Sequence, residues 1–175
     1  MKFVKMQGLG NDFVILNCTD DEDYIPSKQY HSLAAKVCDR HFGVGADGLL
    51  LVLPSAQADI RMRIINSDGS EAEMCGNGIR CFARYVYETG IVKKEVMTIE
   101  TLAGIMVPRL ILDEAGEVVS VEVDMGEPVL ERKEIPMQGT GKAINEAIRI
   151  EGEELRVTAV SMGNPHCVIF VEDAK

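Results

Sequence analysis

The spacing of apolar residues along this chain changes often enough to divide it into short elements. The segments KFVKM (Lys2–Met6) and FVILN (Phe13–Asn17) flank Gly8-Leu9-Gly10-Asn11, a pattern that predicts a β-hairpin with Asn11 at its turn. After Pro26-Ser27, the apolar residues Tyr30, Leu33, Ala34, Val37 and Cys38 recur at helical spacing, and Gly43 is the expected stop. This predicts a helix packed on a sheet. Leu49–Leu53 and the alternating Ile60, Met62 and Ile64 predict two strands, the second running into the turn-forming run Asn66-Ser67-Asp68-Gly69-Ser70. From Ile79 the spacing is helical again, with Phe82 and Val86 among small or apolar neighbours. A mostly buried helix is expected there, starting at the glycines before Ile79 and ending near Gly90.

Beyond Gly90 the pattern turns to strands: Val96–Thr101, Ile105–Asp113, Val118–Met125 and Leu155–Met162, the second and third joined by the turn Asp113–Glu117. Gly126–Gly141 is rich in Pro, Gly and charge and reads as a linker or long loop, with a domain boundary near residues 113 to 128. Gly10-Asn11 is followed by Phe13-Val14-Ile15-Leu16, and Gly163-Asn164 by Val168-Ile169-Phe170-Val171. Either the second half restarts the first, or a common turn dipeptide recurs by chance. If the repeat is real, a counterpart of Cys75 belongs at roughly position 228.

Composition narrows the function classes. A 46% hydrophobic content over 175 residues suffices to bury a core, in one domain or one domain plus part of another. The 28 acidic and 18 basic residues give a net charge of -10, which disfavours nucleic acid and anionic membrane surfaces and favours a small-molecule or protein ligand. No apolar run of about 18 residues is present, and the first residues lack the apolar core of a signal peptide, so the expected address is the cytoplasm. The acidic run Asp20–Asp23 reads as a solvated loop. The five cysteines are odd in number and widely spread, which points to reduced thiols. Cys18, Cys38 and Cys81 read as packing residues. No C-x-x-C pair or histidine cluster suggests a metal, and the glycine spacings do not make a dinucleotide fingerprint, so no cofactor is expected.

Cys75 stands before Gly76-Asn77-Gly78 at the start of the second helix. At a helix N-terminus a thiol meets unpaired N–H groups and the positive end of the helix dipole, which favour the thiolate. Glycines there also let a substrate carboxylate approach the backbone. Thiolate and carboxylate side by side suit removal of the α-proton of an amino acid, because the amide donors stabilise charge developing on the carboxylate. A buried structural cysteine at a glycine-shaped strand-to-helix turn fits the same spacing.

Three stretches, Gly8-Leu9-Gly10-Asn11-Asp12-Phe13, Asn66-Ser67-Asp68-Gly69-Ser70 and Met74-Cys75-Gly76-Asn77-Gly78-Ile79-Arg80-Cys81, resemble the signatures of diaminopimelate epimerases, and Gly163-Asn164-Pro165-His166 resembles a fourth. They occur in family order from Met1 to His166. The resemblance implies an α+β fold in which a curved, mainly antiparallel sheet wraps a central helix, with residues 1–117 as the N-terminal domain and 118–175 as the beginning of a second, pseudo-symmetric one. It implies a homodimer, and epimerisation of LL-diaminopimelate to meso-diaminopimelate for lysine and peptidoglycan precursors, without pyridoxal phosphate or metal. Cys75 would take the α-proton from one face while a second cysteine donates to the other. Asn11, Asn66, Gly76, Asn77 and Asn164 would bind the substrate's carboxylates and amines, and His166 would tune the thiols' protonation.

The resemblance also implies about a hundred further residues carrying the second cysteine, so this chain is expected to be a fragment, inactive alone. Proline and hydroxyproline racemases share the two-thiol chemistry, but commonly have histidine where this sequence has Asn77. Phenazine-biosynthesis-like isomerases use a carboxylate where this sequence has Cys75. A non-catalytic amino-acid-binding domain is the alternative from another class.

Overall fold

The computed structural model describes residues 2–19 and 25–173, so the acidic run at 20–23 lies outside the described residues. The opening hairpin forms as the glycines predict. β1 (Val4–Gly8) and β2 (Asn11–Asn17) pair with Gly8 opposite Asn11, leaving Leu9-Gly10 as a two-residue turn. Both turn residues have positive φ, 56° and 83°, as a turn matching the strand twist requires. Asn11 is therefore the first residue of β2.

β3 (Gly48–Leu53) joins β2 in parallel with Gly48 opposite Phe13, and β4 (Ile60–Asn66) runs antiparallel to β3 with Asn66 opposite Gly48. β5 (Glu71–Ala72) folds back on β4. β6 (Ile99–Thr101) and β7 (Gly104–Met106) then complete a sheet of order β1-β2-β3-β4-β6-β7, mixed but mainly antiparallel. Alternate residues of the central strands feed two cores. Val14, Leu16, Leu49 and Leu51 pack with Tyr30 and Ala34 of α1 (Tyr30–Val37). Phe13, Ile15, Leu50 and Val52 pack with Ile79, Phe82 and Val86 of α2 (Gly76–Glu88). Burial on both faces is why β3 reads as an unbroken apolar run.

Two sequence expectations are corrected here. Helix α1 ends at Val37, well before Gly43. The chain then doubles back so that the N–H groups of Val44 and Gly45 donate to Val37 O at 2.8 and 3.0 Å. A Cβ on Gly43 would stand 2.3 Å from Lys36 O and 2.6 Å from Val37 O, so glycine serves close approach rather than helix termination. Ile105–Asp113 is two strands, because Pro108 has no N–H for a ladder. β7 stays in the main sheet, while β8 (Arg109–Leu112) pairs with β9 (Val118–Glu122). Gly126–Gly141 forms a long loop, one of the two readings its composition allows, and it is fastened: Val129 and Ser161 exchange backbone hydrogen bonds, and Ile135 is buried with Ala143 and Ala159.

These last residues belong to a second compact unit that begins at Met125, the first running through Asp124. β9 completes a hairpin with β8, and Val118, Val121 and Val123 pack on the α2 cluster, which keeps residues 118–124 with the first unit. The second unit holds β10 (Glu146–Ile150), β11 (Glu153–Ser161) and β12 (Pro165–Ile169) in one antiparallel sheet. β10 was not foreseen from the sequence. Its sign was Glu151-Gly152, a two-residue turn with φ of 53° and 90°. Gly163, φ 94°, turns the chain from β11 into β12, as Gly10 does from β1 into β2.

Candidate active site

Helix α2 delivers Cys75. The chain leaves β5 and reaches Cys75 in an extended conformation, φ -145° and ψ 115°, as the N-cap residue. Gly78 N–H donates to Cys75 Sγ at 3.4 Å, and Ile79 N–H donates to Cys75 O at 2.9 Å. The N–H groups of Gly76 and Asn77 have no acceptor within the helix. A Cβ on the buried Gly78 would lie 3.4 Å from Cys75 Cβ and 3.5 Å from the side chains of Leu50 and Phe13, so this glycine seats the helix start close to the strands.

The other side of the sulfur faces the start of β2. Cys75 Sγ lies 3.8 Å from Asn11 Oδ1, which also accepts from Asn77 Nδ2 at 3.4 Å. Arg80, one turn along α2, donates to Asn77 Oδ1. Asn11 Nδ2 donates to Asp47 Oδ2 at 2.8 Å. Asp47 precedes β3, and its backbone N–H donates to Asp12 O at 2.9 Å. Asn66, the last residue of β4, donates through Nδ2 to Ser70 Oγ at 2.9 Å, and the next residue's N–H donates to Asp47 O at 3.0 Å. Cys75, Asn11 and Asn77 are thus in direct contact, and Asn66 is tied to them through the backbone of Asp47. Asn164 and His166 lie on the second unit, both exposed, with His166 Nε2 3.0 Å from Asn164 Oδ1.

Cys75 differs from the other thiols of its unit. Burial pushes the Cys38 thiol up to about 11 and raises that of Cys81, and Cys18 is buried too, whereas Cys75 is only half-buried. Cys167, on β12, is exposed. Among the described residues no group of three or more His, Cys, Asp or Glu side chains could hold a metal, and no helix is long and apolar enough to cross a membrane.

The charged set behind Asn11 is not among the residues that the sequence motifs single out. Arg40 bridges Asp12 and Asp47 at 2.7 and 2.8 Å, and Lys5 pairs with Asp12 at 3.0 Å. The available sign was a lone carboxylate, Asp47, set directly before an all-apolar strand. Arg40's hydrogen bonds hold the Asp12 carboxyl far below the usual carboxylate range, with Lys5 adding to the effect against the cost of burial. Asp47 is lowered chiefly by Asn11 and by the Asp12 N–H. Carboxyls lowered on folding bind fewer protons in the folded than in the unfolded chain. Their stabilisation is therefore present above about pH 5 and lost progressively as pH falls through about 4 and below. The urea midpoint is expected to fall across that window, less steeply in Asp12→Asn, and to be more sensitive to salt than a buried pair because Arg40 is half exposed. A midpoint independent of pH there would contradict this account.

The sequence model of the family described as Diaminopimelate epimerase matches residues 3–131. The chain belongs to the diaminopimelate epimerase family. Among curated relatives, the diaminopimelate epimerase of Moorella thermoacetica is 63% identical over 174 residues, covering 99% of this chain and 61% of that protein. That of Heliobacterium modesticaldum is 57% identical, over 99% of this chain and 62% of its own length. This chain thus spans about three-fifths of the curated relatives it matches. Solved structures share the α+β fold of this epimerase-family chain. A hydroxyproline epimerase from Agrobacterium vitis superposes with a TM-score of 0.69 at 17% identity, over 95% of this chain and 50% of the other. A Bacillus anthracis protein of the phenazine biosynthesis PhzF family superposes with 0.64 at 22% identity, over 97% and 56%.

Proposed function

We propose that the protein carrying this chain is a cofactor-independent diaminopimelate epimerase, cytoplasmic and dimeric, with Cys75 as one of its two acid/bases. The observation that carries this reading is the setting of Cys75 in a chain of this family: a half-buried sulfur capping a helix, with an N–H donor on one side and the Asn11 amide on the other. A donated N–H at the positive end of a helix stabilises a thiolate. In one direction the thiolate takes the α-proton, leaving a carbanion whose charge passes into the carboxylate. A second thiol, proposed to lie outside residues 1–175, gives its proton to the opposite face, so Cys75 ends as the thiol and its partner as the thiolate. Asn11, Asn66, Gly76, Asn77 and Asn164 are proposed to bind the substrate's carboxylates and amines, with His166 tuning the thiols. The product is proposed to be meso-diaminopimelate, serving as a precursor of lysine and peptidoglycan.

Deuterium incorporation from D2O at the α-carbon, followed by NMR with the complete gene product, tests the substrate. Diaminopimelate is expected to exchange on the order of 100-fold or more faster than proline or hydroxyproline, because a site built to hydrogen-bond a second amine and carboxylate rejects ligands lacking them. Faster exchange of proline would overturn the assignment. Binding of diaminopimelate without exchange would favour an amino-acid-binding module.

A further inference from the structure

The amide groups beside Cys75 form a relay with a charge at each end. Arg80 donates to Asn77 Oδ1, Asn77 Nδ2 donates to Asn11 Oδ1, and Asn11 Nδ2 donates to Asp47 Oδ2. The two ends of an asparagine amide have nearly the same shape and opposite hydrogen-bonding character, so partners decide which end points where. A guanidinium can only donate, which obliges Asn77 to turn its oxygen to Arg80 and its NH2 towards Asn11. An ionised carboxylate can only accept, which obliges Asn11 to turn its NH2 to Asp47 and its oxygen towards Asn77 and Cys75. The two anchors, on different elements, impose the same polarity. We propose that Asp47 and Arg80 are positioning residues of the epimerase site, locking Asn11 and Asn77 so that an oxygen acceptor faces the Cys75 sulfur. The proposal rests on the reading of Cys75 as an acid/base.

The consequence is a sulfur with one donor and one acceptor. Gly78 N–H, at 3.4 Å, suits the thiolate, and Asn11 Oδ1, at 3.8 Å, directs the S–H of the thiol. The thiol must pass through both forms in each turnover, and a reversed Asn11 would offer it donors from both sides. Asp47 is itself held in place, Oδ1 accepting from Arg40 at 2.8 Å and Oδ2 from the Asp12 N–H at 3.0 Å as well as from Asn11. Asp47→Asn keeps the shape but leaves one accepting oxygen for two sets of donors. If the oxygen stays with Asn11, the new NH2 faces Arg40. If it stays with Arg40, the NH2 faces Asn11 and turns that amide over.

The test measures α-hydrogen exchange of diaminopimelate by the complete gene product, per folded molecule, in Asp47→Asn, Asn11→Ala, their double variant and Cys75→Ala. Asp47→Asn is expected to lower kcat on the order of tenfold. In the Asn11→Ala background the same change should cost less than about twofold, because its effect passes through Asn11. A structural role would give equal losses in both backgrounds, and that result would overturn the proposal. Arg80→Met removes the other anchor from a different element and is expected to lower kcat in the same direction. Turnover within about twofold of the parent in both Asp47→Asn and Arg80→Met would also overturn it. If Cys75→Ala abolishes exchange while those two variants are unaffected, only the positioning inference fails. Exchange undiminished in Cys75→Ala would instead remove the thiol reading on which it rests.

Discussion

Cys75→Ala is expected to reduce α-hydrogen exchange of diaminopimelate by about 10²- to 10⁴-fold, the range over which a positioned acid/base contributes. The effect should fall on the chemical step. The helix N-terminus proposed to receive the substrate carboxylate is backbone, and alanine leaves it intact, so affinity for diaminopimelate should change far less than turnover. Cys81→Ala is the matched control. It removes a thiol from the same helix, but one buried in the core cluster, so it should lower stability and leave turnover per folded molecule near the parent value. Alkylation followed by mass spectrometry gives a second check. Cys75 should be modified ahead of Cys18, Cys38 and Cys81, which are buried, and diaminopimelate should slow it. Equal turnover in the parent and in Cys75→Ala would overturn the assignment.

Much of this site was legible in the sequence because its parts are local. A glycine pair between two apolar runs predicts a hairpin and brings Asn11 to a strand end. A cysteine before Gly-Asn-Gly and an apolar helical stretch predicts an N-cap sulfur. Both form as expected. What the sequence concealed is tertiary. Asn11 meets Asp47 and Cys75 across long stretches of chain, and although Asp47 stands out as a lone carboxylate before an apolar strand, that position does not say which amide it holds. Gly43 has the appearance of a helix stop, yet its place is set by carbonyls that the chain meets only after turning back. β10 alternates weakly and two of its five residues are charged, so only its turn to β11 announces it. The roles of Asn164 and His166 are the least legible in the chain itself, since both are exposed on the second unit and their assignment comes from motif resemblance.

The largest expected loss of stability comes from Phe82→Ala. Phe82 is fully buried at the middle of α2, in the cluster with Phe13, Leu50, Ile64 and Ile99, and it is among the largest side chains with no exposure. Alanine there removes most of a ring's burial and leaves a cavity that the flanking strands cannot fill without shifting, a cost of about 3–5 kcal/mol. Against a total of about 5–15 kcal/mol for a domain, that is a large share, and the thermal midpoint should drop on the order of 10 °C or more. Phe42 supplies the contrast. It is 96% exposed, and Phe42→Ala should change stability by no more than about 0.5 kcal/mol. Because α2 touches β1, β2, β3, β4 and β9, loosening it also frees the helix start that carries Cys75. Phe82→Ala should therefore lose turnover even below its melting transition, by less than Cys75→Ala, since the thiol remains and only its position is less fixed. Thermal unfolding and exchange rates on the same preparations check both halves, and a melting temperature unchanged by Phe82→Ala would refute the view that this ring anchors the helix.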